Sequence, residues 1–440
     1  MKKIKFLSSV SLLPLLLFSC ASSLSKEGKW LTISVTVNII AADTSTVSPF
    51  GTVMSLRYFV SDSIKNPDSF EENLSSFFTN KVKNYHYKFD RHHYYYASDD
   101  KKSYYVSLKT INDSYGTGKE IFCSKELYEL LKEGVNCTLL TSSYFSFFSG
   151  RLVDYWDNIF YEISEGTPYT LIDPIFSEET RNELDKLVYA LPTNQEIENL
   201  LSFNDKNNSI IFNALDDIEF NGEILERSKV KSPYRPLITG GAISKGFATK
   251  LIQEELYNEG YKYGFLNSGS SSISHISKPN YTTKKYQKIT YADPRNTGFE
   301  RTAALSFNIY DKANISTSGN YNLDKFYEFS YEGKKIRRHH IINPFNGESE
   351  QYHQSITLYS KTFDAGKLDA FSTALFSQSQ EDILTFRKEI LKKYPKNDLE
   401  IILLDLDEDQ ETLLVKTTST FSSSLRLEKE CQKAKVIYLE

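Results

Sequence analysis

The sequence predicts an α+β protein in which helices and strands alternate irregularly. Three observations favour this class: capped amphipathic helices, short strands separated by hairpin-like turns, and no internal repeat or regular strand-helix alternation. The chain has 440 residues, of which 40% are hydrophobic, so it can form one large or two medium domains.

The N-terminus predicts export from the cytoplasm. A basic MKKIKF segment precedes the apolar run LSSVSLLPLLLF, which is shorter than a membrane span. Cys20 follows, with Leu17 and Ser19 placed as in a bacterial lipobox, although Phe18 is bulkier than such a box usually has. We expect residues 1–20 to be a lipoprotein signal peptide and Cys20 to carry the lipid (palmitate) anchor at the extracytoplasmic face of the cell membrane. Plain signal cleavage is the alternative.

The next segments predict a linker, a strand and a polar region. Residues 21–47 are rich in Ser and Thr and predict a linker, and GTVMSLRYFV (51–60) alternates as a strand does. Residues 62–120 are polar and include His86, His92 and His93. The last two are adjacent and point in different directions, so a surface strand or loop is favoured over a metal site.

Two helices follow, each with a recognisable start. CSKELYELLKEG (123–134) has Ser124 as N-cap and Gly134 as a predicted C-cap, and TNQEIENLLSF (193–203) begins at Thr193 or Asn194. The segment from 240 to 276 then predicts a Gly-rich turn, an amphipathic helix that ends at Gly260, a short strand and a second turn, NSGSSS.

The C-terminal third predicts strands, two helices and a tail. Strands are expected within 286–310 and 336–360, a helix over 379–395 and a strand over 399–406. The charged, Ser-rich residues 406–440 predict a tail.

One further helix, LDAFSTALF (368–376), carries two oxygen-bearing side chains beside an apolar face. Leu368, Phe371 and Leu375 recur at helical spacing, and Asp369 and Thr373 are four residues apart on a neighbouring stripe. The spacing therefore places a carboxylate and a hydroxyl side by side at the edge of a buried helix.

Composition excludes some functions. With 52 Lys and Arg against 57 Asp and Glu, the net charge is −5, and the chain has no basic excess for nucleic acid. The cysteines after the signal, Cys123, Cys137 and Cys431, have no metal-binding spacing and are expected to be free or buried thiols.

Two loops carry weak chemical signals. GGAISKGFA (240–248) places glycines, a serine and a lysine before a helix, where a phosphate could bind, although a plain helix start explains it equally well. His340 lies just before a Pro-bounded loop, a setting for a cleft residue, although a structural histidine is the more common case.

Eight segments in order resemble the FAD:protein FMN transferase (ApbE) family. They are PFGT (49–52), RLVDYW (151–156), GGAISKGFA (240–248), FLNSGSSSI (265–273), DP (293–294), ISTSGNYN (315–322), HHIINPFNG (339–347) and LDAFSTALF (368–376). The resemblance spans about 48–405 and implies an ApbE-like, T-fold-related core of mixed sheet and helices with a cleft for FAD.

The resemblance implies an activity and a metal. Enzymes of this family transfer the FMN moiety of FAD to a Thr or Ser hydroxyl of a target protein and release AMP, with Mg²⁺ as cofactor. It implies that Asp369, Thr373 and the Ala242 carbonyl are metal ligands. Mg²⁺ prefers hard oxygen donors and usually takes only one or two protein carboxylates beside substrate phosphate.

The resemblance also assigns the remaining site residues. His340 is expected to accept the acceptor hydroxyl's proton, and Lys245 to approach the flavin or the phosphates. The residues expected along the dinucleotide are Phe50, Gly51, Thr52, Gly241, Ala242, Asn267, Gly269, Thr317, Ser318 and Gly319.

Four positions depart from the family pattern. Thr239 stands in a turn where the family usually has Asp, Ser270 replaces a glycine, and Asn343 and Lys250 replace aspartates. None of the four is an expected metal ligand.

Three functions follow from these residues. The first is a membrane-anchored transferase whose partners are FAD and a flavin-acceptor protein with a Thr/Ser target motif. The second is a Mg²⁺-dependent FAD pyrophosphatase that gives FMN and AMP, and the third is a non-catalytic flavin-binding surface lipoprotein.

Overall fold

The structure, a computed structural model, describes residues 28–62, 64–277, 287–295, 302–320, 325–407, 411–418 and 425–439. The predicted signal peptide with Cys20, and part of the predicted linker, lie outside these residues. No helix among those described is long and apolar enough to cross a membrane.

The described part of the chain contains the following helices. They are α1 (Pro67–Phe89), α2 (Leu108–Asp113), α3 (Lys125–Leu140), α4 (Gly150–Ser164), α5 (Tyr169–Ile172), α6 (Glu178–Tyr189), α7 (Asn194–Leu200), α8 (Ser244–Asn258), α9 (Ala365–Phe376) and α10 (Gln380–Lys393).

The described strands fall into one large sheet and several small ones. They are β1 (Gly28–Val35), β2 (Ile39–Ile40), β3 (Thr46–Val47), β4 (Met54–Ser61), β5 (Ile121–Phe122), β6 (Leu201–Asn204), β7 (Ser209–Phe212), β8 (Ile218–Phe220), β9 (Glu223–Leu225), β10 (Gly264–Ser268), β11 (Ser272–Ser277), β12 (Gln287–Ala292), β13 (Ala303–Ile309), β14 (Ala313–Gly319), β15 (Phe326–Tyr331), β16 (Lys334–His339), β17 (Ser355–Ser360), β18 (Glu400–Leu406), β19 (Leu413–Thr418), β20 (Arg426–Leu427) and β21 (Lys435–Leu439).

A nine-stranded sheet in the order β1-β4-β10-β11-β14-β17-β18-β19-β21 is the centre of the molecule. Its neighbours pair antiparallel except β19 and β21, which are parallel. Both faces are covered, because α1, α8, α9 and α10 pack on one and the sheet of β12, β13 and β20 packs on the other.

Strand β18 shows how sequence produces these two cores. Successive side chains of a strand point to opposite faces. Ile401 and Leu403 accordingly contact the helical core, whereas Ile402 and Leu404 contact the core against β12 and β13. The unbroken apolar run in this strand is therefore buried on both sides.

The α+β prediction is confirmed, and most predicted elements are present near their expected bounds. Ser124 caps α3 by accepting from the Leu127 N–H, and Thr193 forms a capping box with Glu196 at the start of α7. Helices α8, α9 and α10 and strand β18 lie where the sequence placed them.

Three sequence predictions are wrong. Part of the predicted linker, 28–35, is the edge strand β1, and the predicted tail contains β19 and β21, because these strands hydrogen-bond to the central sheet. Gly134 does not end its helix, since it lies inside α3, where the absence of a side chain lets the Phe147 ring pack against it.

The polar region 62–120 also differs from the expectation. It contains the 23-residue helix α1, whose apolar side packs into the main core through residues such as Leu74, Phe78 and Val82. His86 therefore lies on a buried helical face and not on a surface strand.

Candidate active site

Helix α9 presents its polar stripe toward α8 and the central sheet. Leu368, Phe371 and Leu375 are fully buried, as the helical spacing predicted. Asp369 is only 4% exposed, so its carboxylate is held inside the protein at the helix interface. Asp364 caps the helix by accepting from the Lys367 N–H at 3.0 Å.

The surroundings of Asp369 hold its carboxylate in place. Oδ2 accepts from the Gly246 N–H at 3.0 Å, and the Ser316 hydroxyl lies 3.5 Å from Oδ1. A Cβ on Gly246 would lie 2.2 Å from the Ala365 carbonyl oxygen, so only glycine lets α8 approach α9 this closely. Burial raises the pKa of Asp369, and the nearby Lys245 charge opposes this shift.

Thr373 lies one helical turn after Asp369 in a group of hydroxyls. Its Oγ1 donates to the Asp369 carbonyl at 3.2 Å and lies 3.4 Å from Ser318 Oγ. Ser372 Oγ in turn lies 3.1 Å from Ser316 Oγ and 2.9 Å from Ser318 Oγ. The Thr373 oxygen keeps a lone pair for a cation because its proton is already donated.

The Gly-rich turn brings Ala242 to the start of α8. The Ser244 N–H donates to the Gly240 carbonyl at 2.8 Å, and the Gly246 N–H donates to the Asp369 carboxylate. Within the described ranges no hydrogen bond to the Ala242 carbonyl forms, so this oxygen is available to a cation. Thr239 Oγ1 accepts from the Gly241 N–H at 3.5 Å, a long contact within this turn.

The three predicted metal ligands are all oxygen atoms, and they suit Mg²⁺. Among the described residues no group of three His, Cys, Asp or Glu side chains could hold a metal ion. A site here therefore depends on one carboxylate, one hydroxyl and one carbonyl, with substrate oxygens completing the six that Mg²⁺ requires.

A second part of the site lies between Thr52 and the β10–β11 turn. The Gly269 N–H donates to the Val53 carbonyl at 3.0 Å, and a Cβ on Gly269 would lie 2.3 Å from Thr52 Oγ1. Asn267 Oδ1 accepts from the Ser270 N–H at 2.9 Å, which closes the turn. Ser270 takes a φ of 61°, a conformation that the usual glycine adopts without strain.

Strand β14 connects this turn to the cluster of Ser and Thr hydroxyls around Thr373. The Thr317 N–H donates to the Ser271 carbonyl at 2.7 Å, and Thr317 Oγ1 lies 2.9 Å from Thr357 Oγ1. Ser318 points to α9, as described above, and Gly319 pairs with Ser355 of β17.

Phe50 and Gly51 form the backbone turn before Thr52. Phe50 has a φ of 55° and Gly51 a φ of 64°, both in the left-handed region. The Phe50 N–H donates to His86 Nδ1 at 3.1 Å, and the two rings pack edge to face at 5.4 Å. Gly51 is exposed, and an added Cβ would meet no atom within 4 Å. Its positive φ, and not a lack of space, therefore favours glycine at this position.

His86 links this turn to a buried carboxylate. Tyr95 Oη donates to Asp90 Oδ2 at 2.6 Å and lies 3.0 Å from His86 Nε2, so Nε2 carries the proton and Nδ1 accepts. Burial lowers the pKa of His86 to about 4, which keeps the ring neutral.

His340 follows the end of β16 and is exposed, in contrast to the buried His339. Desolvation is the largest cause that lowers the pKa of His340, followed by the charges of His339, Lys245 and Lys325. The ring is therefore neutral at pH 7. Lys245 lies near enough to both the predicted base and Asp369 for its charge to lower the pKa of each.

Two of the departures from the family pattern have local partners. Asn343 Nδ2 donates to Glu350 Oε1 at 2.7 Å, and its Oδ1 accepts from the Phe345 N–H at 3.0 Å. Lys250 lies 3.6 Å from Asp364, the cap of α9. Both substitutions therefore keep a role in holding the loops of the site.

Sequence reasoning missed Ser316, Ser372 and His86. Ser316 and Ser318 are two residues apart on one strand, and Ser372 is three residues after Asp369 on a helix, so periodicity could have found the serines. His86 is 36 residues from Phe50, and no local pattern indicates their contact.

The model of the ApbE family matches residues 50–395. The chain belongs to the ApbE family.

Solved structures with the ApbE fold agree with this. The ApbE protein from Thermotoga maritima is 19% identical and covers 91% of this chain and 98% of its own, with a TM-score of 0.54. The flavin transferase ApbE from Vibrio cholerae is 14% identical over 90% of this chain and 99% of its own, with a TM-score of 0.58. The flavinyl transferase ApbE from Pseudomonas stutzeri is 14% identical over 90% and 97%, with a TM-score of 0.55. No curated protein matches the chain.

Proposed function

We propose that this ApbE-family chain transfers the FMN moiety of FAD to a Thr or Ser hydroxyl of an acceptor protein and releases AMP. The observation that carries the proposal is that the buried Asp369 carboxylate, one helical turn before Thr373 on α9, accepts from the Gly246 N–H in the first turn of α8, four residues after Ala242. Family membership and the flavin transferases of the same fold support flavin as the transferred group.

In the proposed reaction one phosphorus–oxygen bond is exchanged for another. The acceptor oxygen bonds to the FMN phosphorus, and the bond from that phosphorus to the bridging oxygen breaks, so that AMP leaves with this oxygen. The acceptor's proton moves to the neutral ring of His340. Lys245, whose charge acts on both His340 and Asp369, would place a positive charge near the phosphates.

Asp369, Thr373 and Ala242 would hold Mg²⁺. When bound, Mg²⁺ neutralises charge on the pyrophosphate oxygens. The chain's own part is to hold these oxygens still: the Gly246 N–H fixes the carboxylate, and the Asp369 carbonyl orients the Thr373 hydroxyl. Thr52, Asn267 and Gly269 form the adjoining wall proposed to bind the dinucleotide.

The test measures AMP release from FAD with and without Mg²⁺, and with and without an acceptor peptide that contains the target Thr. AMP that requires both, together with a peptide that gains the mass of FMN, supports transfer. AMP without acceptor favours the pyrophosphatase, and bound flavin without AMP favours a binding protein.

Asp369→Asn tests the metal ligand directly. We expect a loss of at least about a hundredfold in Mg²⁺-dependent turnover. Thermal stability should be unchanged or higher, because burial already disfavours the ionised carboxyl. Asp311→Asn, at an exposed position between β13 and β14, is the matched control and should keep full turnover. Wild-type activity in Asp369→Asn would reject the assignment of the metal site.

We also propose that a lipid on Cys20 holds the enzyme at the outer face of the membrane, on the evidence of residues 1–20 alone. Membrane fractionation of cells that make the Cys20→Ser variant tests this, since the variant should be released.

A further inference from the structure

Two arginines, Arg151 and Arg235, lie near each other where helix α4 begins. The proposed reaction does not use either residue. The Gly150 N–H donates to the Leu237 carbonyl at 2.8 Å, which pairs the start of α4 with the segment that leads into the Gly-rich turn. Arg151 follows Gly150, and Arg235 lies two residues before Leu237. Arg235 is only 7% exposed, whereas Arg151 is half-buried and connects the pair to solvent.

Each guanidinium group has only part of its hydrogen-bonding capacity satisfied. Arg235 donates from Nη1 to the Asn112 carbonyl at 2.7 Å and lies over the Tyr115 ring at 5.6 Å. Arg151 donates from Nη2 to the Ser232 carbonyl at 3.3 Å. In both residues Nε is buried without a partner in the described part of the chain. A buried donor without a partner destabilises the folded state, so two of them on this pair of arginines require an explanation.

Neither arginine of the pair has a carboxylate of its own. Among the described residues neither Arg151 nor Arg235 forms an ion pair with a carboxylate. Asp154 and Asp113, whose charges act on Arg151 and Arg235 respectively, also pair with other cations: Asp154 with Arg91 at 2.6 Å and Asp113 with Lys109 at 2.8 Å. Burial lowers the pKa of both arginines. The charge of Arg91 on Arg151, and of Arg151 on Arg235, adds to this, whereas Asp154 and Asp113 oppose it. Buried charges in proteins are normally paired.

The N-terminus of helix α4 adds to the positive electrostatic potential of the two arginines. Helix α4 has 15 residues, and its N-cap, Ser149, makes no side-chain hydrogen bond to the first turn. The N-terminus of a helix carries a partial positive charge and free N–H groups, which favours an anion.

We infer that Arg151, Arg235 and the N-terminus of α4 form a binding site for a dianionic phosphate group. Two guanidinium groups without an ion pair to a carboxylate in the described part of the chain match two negative charges, and the planar N–H fork of arginine suits phosphate oxygens. The phosphate can come from inorganic phosphate or from a phosphate monoester such as AMP. The inference does not depend on the proposed transferase activity, because it concerns binding alone.

The experiment titrates sodium phosphate into the purified protein and measures the melting temperature and the heat of binding. Sodium chloride at equal ionic strength is the reference. We expect phosphate, and not chloride, to raise the melting temperature. Arg151→Gln and Arg235→Gln should each weaken phosphate binding at least about tenfold, because each removes half of the compensating charge.

Two further measurements separate a binding site from a structural role. Without phosphate, Arg151→Gln should be at least as stable as the wild type, because it removes one of two neighbouring cations. Arg387→Gln is the matched control: its guanidinium donates to the Leu399 carbonyl at 2.7 Å and lies 3.6 Å from Glu400, so its loss should leave phosphate binding intact.

The results distinguish the source of the phosphate and test whether the arginine site exists. Stronger binding of AMP than of phosphate would identify a nucleotide as the source, and equal binding would identify the free anion. An equal response to chloride, an unchanged affinity in both arginine variants, or a clear destabilisation by Arg151→Gln without phosphate would each overturn the inference.

Discussion

His86 shows how one side chain can hold a strained backbone turn. Its Nδ1 accepts from the N–H of Phe50, a residue in the left-handed region, which costs a residue with a side chain roughly 1–2 kcal/mol. Its Nε2 is occupied by Tyr95, which donates onward to Asp90. Only the neutral ring can accept and donate in this way, because a protonated imidazole has no acceptor.

We predict that His86→Ala lowers the free energy of unfolding by about 2–4 kcal/mol, since the Phe50 N–H loses its buried acceptor. His86→Asn, whose oxygen can replace Nδ1, should recover part of this loss. Urea unfolding at neutral pH measures both. The exposed His92→Ala should change stability by less than about 0.5 kcal/mol. An equal effect of His86→Ala and His92→Ala would contradict the structural role.

The same residue predicts a pH dependence. The pKa of His86 is lowered to about 4 in the folded protein, against about 6.5 in the unfolded chain. Between these values the unfolded state binds the proton, so the wild type loses stability as the pH falls, by up to about 1.4 kcal/mol per pH unit. His86→Asn should show a shallower loss over this range, and parallel curves for the two proteins would refute the assignment.

The relative positions of site residues could be predicted from the sequence where the residues lie on the same helix or strand. Asp369 and Thr373 share a helix, so helical spacing alone is enough to place them side by side. The partners that fix them, Gly246 on α8 and Ser318 on β14, come from distant parts of the chain. Only the resemblance to a family, not local pattern, could join these segments.

At the scale of elements, the packing of α8 on α9 determines the geometry of the site. Gly246 permits the contact, since a Cβ there would lie 2.2 Å from the Ala365 carbonyl oxygen and 2.6 Å from Asp369 Cβ. We predict that Gly246→Ala lowers the free energy of unfolding by about 1–3 kcal/mol, as overpacking does. It should also weaken Mg²⁺-dependent turnover by displacing Asp369.

Gly241→Ala is the matched control for the stability part of this prediction. It adds the same methyl group at a position with room for it, since the nearest atom, Thr239 Oγ1, would lie 3.7 Å from the new Cβ. Its thermal stability should therefore stay close to that of the wild type. If both alanine variants unfold at the same temperature, the close approach of α8 to α9 does not limit stability.

At the scale of the whole molecule, the central sheet draws its strands from both ends of the chain. Strand β1 precedes the family match and β21 follows it, yet each pairs with the sheet over its full length. The C-terminal segment resembles a tail in sequence because its charged residues hide the strand pattern. In β21 only Leu439 is fully buried, since an edge strand faces solvent along much of its length.

Removal of residues 435–440 tests whether this last strand belongs to the folded unit. The deletion removes the parallel pairing of β21 with β19 and the burial of Leu439. We predict that the free energy of unfolding falls by about 2–4 kcal/mol, because one large apolar side chain and a row of strand hydrogen bonds are lost together. Tyr438→Ala, at an exposed position of the same strand, should change it by less than about 0.5 kcal/mol. Urea unfolding of the three proteins separates the cases: an unaltered deletion variant would mean that the strand adds nothing to the sheet and that the segment behaves as the tail its composition suggested.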